Sequence, residues 1–341
     1  MMNTHADTQQ TSTRTILKDI FHLFELGRGE VVLTLIANIW LMTLIHHRNE
    51  PTISSALIID LVLTTFIALG LAGLGIALND ALDARHDRTF APKRPIPAGR
   101  VNVRIAIVAA ILSMIDAVAA TIWLGKLQTV VTLLAVGGIL FYNLTGRFMP
   151  AVGVVSLGLI TGLVMLIPEP RPEYAWPIVL AMTHVMFCST ARHWLGGKRP
   201  RITPKDGFGI CAGWLFWSMV VVGVLKPHEN PIAQASEGHV TRLMLGPVLA
   251  IVIFSLITSV LFTRVEKLNV SGRRQLGIRY SRIAGLWLIV YDVAWLIGLD
   301  MWWQAGLMSG LLIFALLLIL IGRIARTILG NPPSFGLSNQ L

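Results

Sequence analysis

Asn79, Asp80, Asp83 and Asp87 fall within LNDALDARHDRTFAPKRPIPAGR, residues 78–100. On a helix Asn79, Asp83 and Asp87 recur every fourth residue, and Asp80 precedes Asp83 by three, so the four side chains can share one flank. Carboxylates crowded in this way repel one another unless a cation lies between them. Asp and Asn oxygens suit Mg²⁺, which commonly binds through one or two carboxylates together with substrate phosphates. The same stretch carries Arg85, Arg88, Lys93, Arg94 and Arg100, and its prolines Pro92, Pro95 and Pro97 fix φ and stiffen the chain. Guanidinium forks bind phosphate oxygens in pairs, and lysine adds a point charge. An acidic helix end followed by a rigid basic loop is what a magnesium diphosphate requires. A plainer reading, in which the charges neutralise one another and the bases only orient a membrane protein, does not require acids four residues apart.

The elements that must position these residues are apolar. Of 341 residues 54% are hydrophobic and 13% charged, with a mean hydropathy of +0.69, against roughly 25% charged in soluble domains. The chain therefore reads as an all-α, polytopic integral membrane protein. Ten segments approach the length needed to cross a bilayer: 31–46, 53–78, 105–125, 129–145, 150–168, 176–196, 208–225, 243–262, 283–299 and 302–322. The first is short and the last two adjoin, which predicts nine or ten spans. With the N-terminus cytoplasmic, 23 of the 28 Lys and Arg residues lie on the cytoplasmic side and 5 on the other. This asymmetry favours both termini inside, in a membrane of the prokaryotic inner type. The net charge of +10 is then a matter of topology, and nucleic acid is not an expected partner.

Residues 1–15 are polar and read as a disordered tail, with no cleavable signal peptide. The helical domain is expected over 16–330, opening on an interfacial helix at 16–26, and a second tail over 331–341. Cys188 and Cys211 lack CxxC spacing and read as filler.

NDALDARHD followed by RPIPAGR resembles the first aspartate-rich motif of the UbiA superfamily of intramembrane prenyltransferases, N-D-x-x-D-x-x-x-D and then R-P-I-P-S/A-G. The segment FYNLTGRFMPAVGVVSLGLITGL, 141–163, is similar to that family's Tyr-plus-basic segment, and the likeness extends over about 25–225. The resemblance implies an all-α fold around an intramembrane cavity. In such proteins an isoprenyl diphosphate is held with Mg²⁺ at the cytoplasmic mouth, its allylic C–O bond ionises, and a hydrophobic acceptor, aromatic or lipid, is alkylated. By that resemblance Asn79, Asp80, Asp83 and Asp87 would bind metal and diphosphate, the three aspartates being catalytic. Lys93, Arg94 and Arg100 would clamp the diphosphate.

The chain departs from the family at its second charged loop. There THVMFCSTARHWLGGKRPRITPKDGFG, 183–209, has lost the expected acids apart from Asp206. Arg192, Lys198 and Arg199 stand in their place, so cations would neutralise the diphosphate directly. Alternatively the chain binds a prenyl diphosphate or lipid without turning it over, an atypical second loop similar to that of UbiA-like members called EboC. Charged residues inside spans cost roughly 2.5–3.5 kcal/mol each on insertion scales. Asp116 is on that ground a candidate base or acceptor-orienting group, and Asp292 a weaker one. Asn38 and Arg28 are candidates for substrate contact, and His184 is expected to make an interhelical hydrogen bond. A transporter is the reading from another class, but the halves show no repeat and the richest site lies at the membrane edge.

Overall fold

The computed structural model describes residues 29–50, 53–92, 94–172, 174–197, 200–223, 237–263 and 265–328. The tails, the expected interfacial helix at 16–26, Arg28, Lys93, Lys198 and Arg199 lie outside the described residues.

Ten helices form the described structure: α1 (Gly29–His46), α2 (Ser55–Phe90), α3 (Val103–Leu124), α4 (Lys126–Leu144), α5 (Pro150–Leu166), α6 (Trp176–Leu195), α7 (Pro204–Gly223), α8 (Glu237–Phe262), α9 (Val270–Gly298) and α10 (Trp302–Ile328). The fold is all-α, as the composition requires. Seven helices, α2, α3, α4, α7, α8, α9 and α10, are long and apolar enough to cross a membrane by themselves. Two more, over Val31–His46 and Pro150–Leu166, are apolar but shorter, and α6 is diluted by His184, Arg192 and His193. The expectation of nine or ten spans thus holds for the helices and exceeds what length and composition alone certify.

α1 is the central strut. Ala37, Ile39, Leu41, Met42 and Leu44 are at most 1% exposed, and the helix packs against α2, α5, α9 and α10. A helix that is apolar all round belongs inside, which explains how a short one is tolerated. α2 and α3 form the most extensive pairing, because Gly70 lets their backbones meet. A Cβ there would lie 2.5 Å from the Ser113 carbonyl oxygen and 2.7 Å from the Ala117 nitrogen.

Local chemistry sets the helix ends nearest the aspartates. Ser54 caps α2, its hydroxyl accepting from Leu57 N–H at 3.0 Å. The helix then runs 36 residues, about 54 Å at 1.5 Å per residue. That exceeds the ~30 Å apolar core, so its last turns project beyond the apolar run. α2 stops before Pro92, and the 94–101 segment folds into turns in which Ala98 N–H donates to Arg94 O at 2.8 Å and Arg100 N–H to Pro95 O at 2.9 Å. Gly99 supplies the one left-handed φ these turns need, 73°. Ile96 tucks against Ala84 and Ala106, anchoring the turns to α2 and α3, and Asn102 caps α3 by accepting from Arg104 N–H at 2.9 Å.

α9 begins at Val270, well ahead of the expected 283, because Asn269 caps it there by accepting from Gly272 N–H at 2.8 Å. His184 meets its expectation: its Nε2 lies 2.8 Å from the Ala284 carbonyl on α9.

Candidate functional site

The extension of α2 carries the acids, and two other segments bring bases to them. Asn79 Nδ2 lies 3.4 Å from Asp80 Oδ1 and 3.2 Å from Asp83 Oδ2, so the three residues converge as the spacing predicts. Asp83 turns its other oxygen to Arg147, whose Nη1 donates at 2.7 Å. One turn on, Asp87 is 6% exposed and accepts from Arg94 Nη1 at 2.6 Å, with His86 Nδ1 at 3.8 Å from its Oδ1. Each guanidinium satisfies one carboxylate and separates it electrostatically from the next.

Arg147 is the participant that sequence reasoning left among the topological charges. It sits in a 3₁₀ turn, Gly146–Phe148, between α4 and α5. The turn is held against the start of α5 by close backbone contact, since a Cβ on Gly153 would lie 2.7 Å from the Gly146 carbonyl, and Pro150 opens α5 with φ already fixed. The guanidinium carbon rests 4.9 Å from the centre of the Phe148 ring, and Nε is buried without a hydrogen-bond partner. One face of the cation is thus ordered by an aromatic ring and an Asp, while a donor remains unused beside the aspartates. The signal in the sequence was the position of Arg147 in the Tyr-plus-basic segment.

The remaining candidates divide. Arg94 joins the cluster, whereas Arg100 lies exposed at the end of the proline turns. Arg192 is exposed in the last turn of α6. Asp116 is half-buried on α3, at the level where Ser113 and Ala117 meet Gly70. Gly70 precedes Asn79 by nine residues, about 13 Å of helix, so Asp116 does not join the α2 acids. Asp206 spends its carboxylate on Thr203, accepting from N–H at 2.8 Å and Oγ1 at 2.7 Å. Asp292 and Asn38 are buried, 2% and 1% exposed. Cys188 is buried, with Sγ 3.4 Å from both His184 Nε2 and the Tyr280 hydroxyl.

Among the described residues, no three His, Cys, Asp or Glu side chains converge as a self-sufficient metal site. The donor set nevertheless suits a hard cation that takes other ligands from a substrate. Asp80 and Asp83 reach a common point at the Asn79 amide, and with that amide turned over all three would offer oxygen.

Residues 33–195 match the model of the UbiA prenyltransferase family. The matched segment is just under half of the chain. It takes in α1 to α6 almost entirely, with Asp83, Asp87, Arg94 and Arg147. Two solved structures resemble the UbiA-type fold seen here. One concerns digeranylgeranylglyceryl phosphate synthase, with a TM-score of 0.52 and 16% identity over 82% of this chain and 98% of that one. The other is the apo structure of a UbiA homolog from Aeropyrum pernix K1, with a TM-score of 0.50 and 18% identity over 76% of this chain and 97% of that one. At these identities the likeness concerns the fold. No curated protein matches the sequence.

Proposed function

We propose that the chain is a membrane prenyltransferase, moving an isoprenyl group from a polyprenyl diphosphate to an aromatic or lipid acceptor. The charged end of the bundle, taken as the cytoplasmic face, would hold the diphosphate. The observation that carries this reading is the interleaving of Asp83 and Asp87 with Arg147 and Arg94 from two other segments, beside the convergent Asn79 and Asp80. The match of residues 33–195 to the family model supports it, since members of that family are typically magnesium-dependent transferases.

Asn79, Asp80 and Asp83 would hold Mg²⁺, with Asp87 completing the acidic flank. The bound ion would contribute charge neutralisation to the diphosphate. The chain's own cations do the rest. Arg94 and Arg147 stand within reach of Asp87 and Asp83, and can turn their remaining N–H donors to phosphate oxygens; Lys93, Arg100, Arg192, Lys198 and Arg199 are assigned as further cations for the diphosphate. Donors fixed before the reaction stabilise charge as it develops on the leaving group. The allylic C–O bond breaks with its electron pair going to the diphosphate, the acceptor's electron pair forms the new bond to the isoprenyl carbon, and the acceptor loses a proton. Asp116, one helix away and displaced along the bundle, is assigned to orienting the acceptor.

The test is pyrophosphate release by the full chain in lipid, using farnesyl and geranylgeranyl diphosphates with a panel of aromatic and lipid acceptors, in the presence and absence of Mg²⁺. Mg²⁺-dependent release that disappears in Asp83→Ala supports the transferase. Release indifferent to Mg²⁺ and to Asp83 sinks it. A specific observation favours a second reading, non-catalytic binding of a prenyl diphosphate or lipid: the acid left in 183–209, Asp206, is spent on Thr203. Tight, Mg²⁺-dependent donor binding with no release across the panel selects that reading.

A further inference from the structure

The end of the bundle remote from the aspartates has its own concentration of charge. Three consecutive residues at the end of α1 reach α2 and the connection between α5 and α6. His46 Nδ1 lies 3.1 Å from Glu169 Oε2 in the connection between α5 and α6. The His47 ring lies between two carboxylates, with Nδ1 2.6 Å from Glu50 Oε1 and Nε2 2.8 Å from Asp60 Oδ2 on α2. Arg48 donates to the Tyr174 hydroxyl just before α6, and its guanidinium also lies 5.1 Å from the centre of that ring. The two imidazoles meet edge to face at 5.1 Å, and the His47 side chain is only 7% exposed.

The chemistry of an imidazole gives this geometry a consequence. A neutral ring has one N–H donor and one bare nitrogen that only accepts. His47 has a carboxylate oxygen on each nitrogen, so both contacts are hydrogen bonds only when both nitrogens carry hydrogen. Loss of one proton sets a nitrogen lone pair against a carboxylate, at a ring whose side chain is itself only 7% exposed. It also removes a positive charge from a group in which His46 and His47 face Glu50, Asp60 and Glu169. Arg171 joins the group through its backbone N–H, which donates to Glu169 Oε1 at 2.8 Å.

We infer that this end of the bundle is a pH-sensitive clasp, which fastens α1 to α2 and to the α5–α6 connection while the His47 ring donates from both nitrogens and His46 donates to Glu169, and which loosens as pH rises. The carboxylates set its lower limit. Ser54 chiefly, and His47 after it, hold the Glu50 carboxyl below the usual range, and the hydrogen bond from His46 does the same for Glu169. Glu50 and Glu169 therefore stay charged through the range in which an imidazole titrates. The clasp is independent of the reaction assigned to the other end.

Hydrogen–deuterium exchange of the full chain in lipid nanodiscs, corrected for the intrinsic pH dependence of exchange, tests it. Between about pH 6 and about pH 9, protection of peptides covering 46–60 and 166–175 is expected to fall about tenfold, the scale of one unmade buried hydrogen bond. Asp60→Asn supplies the discriminating variant. Its amide can donate to the bare nitrogen of a neutral His47, whose other N–H still donates to Glu50, so protection should persist at the higher pH and the step should shrink. His47→Gln should show low protection of 46–60 at both pH values. A wild-type protein with no step, or a step of unchanged size in both variants, overturns the clasp.

Discussion

Replacing Arg147 by Gln removes one charge from the aspartate site while keeping a side chain of similar reach. Two consequences can be sized separately. Arg147 and Asp83 are 18% and 28% exposed as side chains and 2.7 Å apart, so the pair lies between a surface bridge, worth about 0–1 kcal/mol, and a fully buried one, whose breaking costs about 3–5 kcal/mol. Asn79 still donates to Asp83 at 3.2 Å in the variant, so a loss of stability of about 1–2 kcal/mol is expected. The functional loss should be larger. A charged hydrogen bond to phosphate is worth about 1.5–3 kcal/mol, or about ten- to a hundredfold in donor affinity, and removal of one donor to developing negative charge costs about a hundredfold or more in rate. Thermal unfolding in nanodiscs reads the first quantity, while donor binding and pyrophosphate release read the second. A variant that is destabilised as expected yet binds and turns over donor within about threefold of the parent would show that Arg147 merely braces α2, and would refute its assignment to the diphosphate.

Asp83→Ala should abolish Mg²⁺-dependent donor binding while leaving membrane insertion intact, and binding at full strength in that variant would count against the whole site. Gly70→Leu should part α2 from α3, because its Cβ would lie 2.5 Å from backbone. Overpacking of this kind costs about 1–3 kcal/mol, readable as a lower unfolding temperature, whereas Gly137→Ala, with nothing within 4 Å of the added carbon, should unfold as the parent does. The Glu169 carboxyl is held below its ordinary value of 4.5 chiefly by His46. A group depressed in the folded state stabilises it above the unfolded value and loses that contribution as pH falls through the folded one. The unfolding temperature should therefore decline below about pH 4.5, less so in Glu169→Gln; identical acid limbs in the two proteins would contradict this account.

The sequence by itself determined whatever depends on neighbours along a helix. Asn79, Asp80 and Asp83 converge because 3.6 residues per turn places residues three and four apart side by side, and the apolar runs form helices because nothing else satisfies the backbone in hydrocarbon. The caps at Ser54 and Asn102 and the proline turns are equally local. Tertiary structure alone decided which charges meet. Arg147 reaches Asp83 across 64 residues, a pairing that requires the α4–α5 turn to fold beneath the end of α2, and no spacing encodes that. Asp116 shares the acidic character of the α2 cluster but not its height, because the Gly70 contact fixes how far α3 slides along α2. His47 lies between the runs 31–46 and 53–78, and only the meeting of α1, α2 and the α5–α6 connection brings Glu50, Asp60 and Glu169 around the two imidazoles. Periodicity fixes angles around one helix, whereas these contacts depend on the relative position of several, which is set by the summed packing of side chains far apart in the chain.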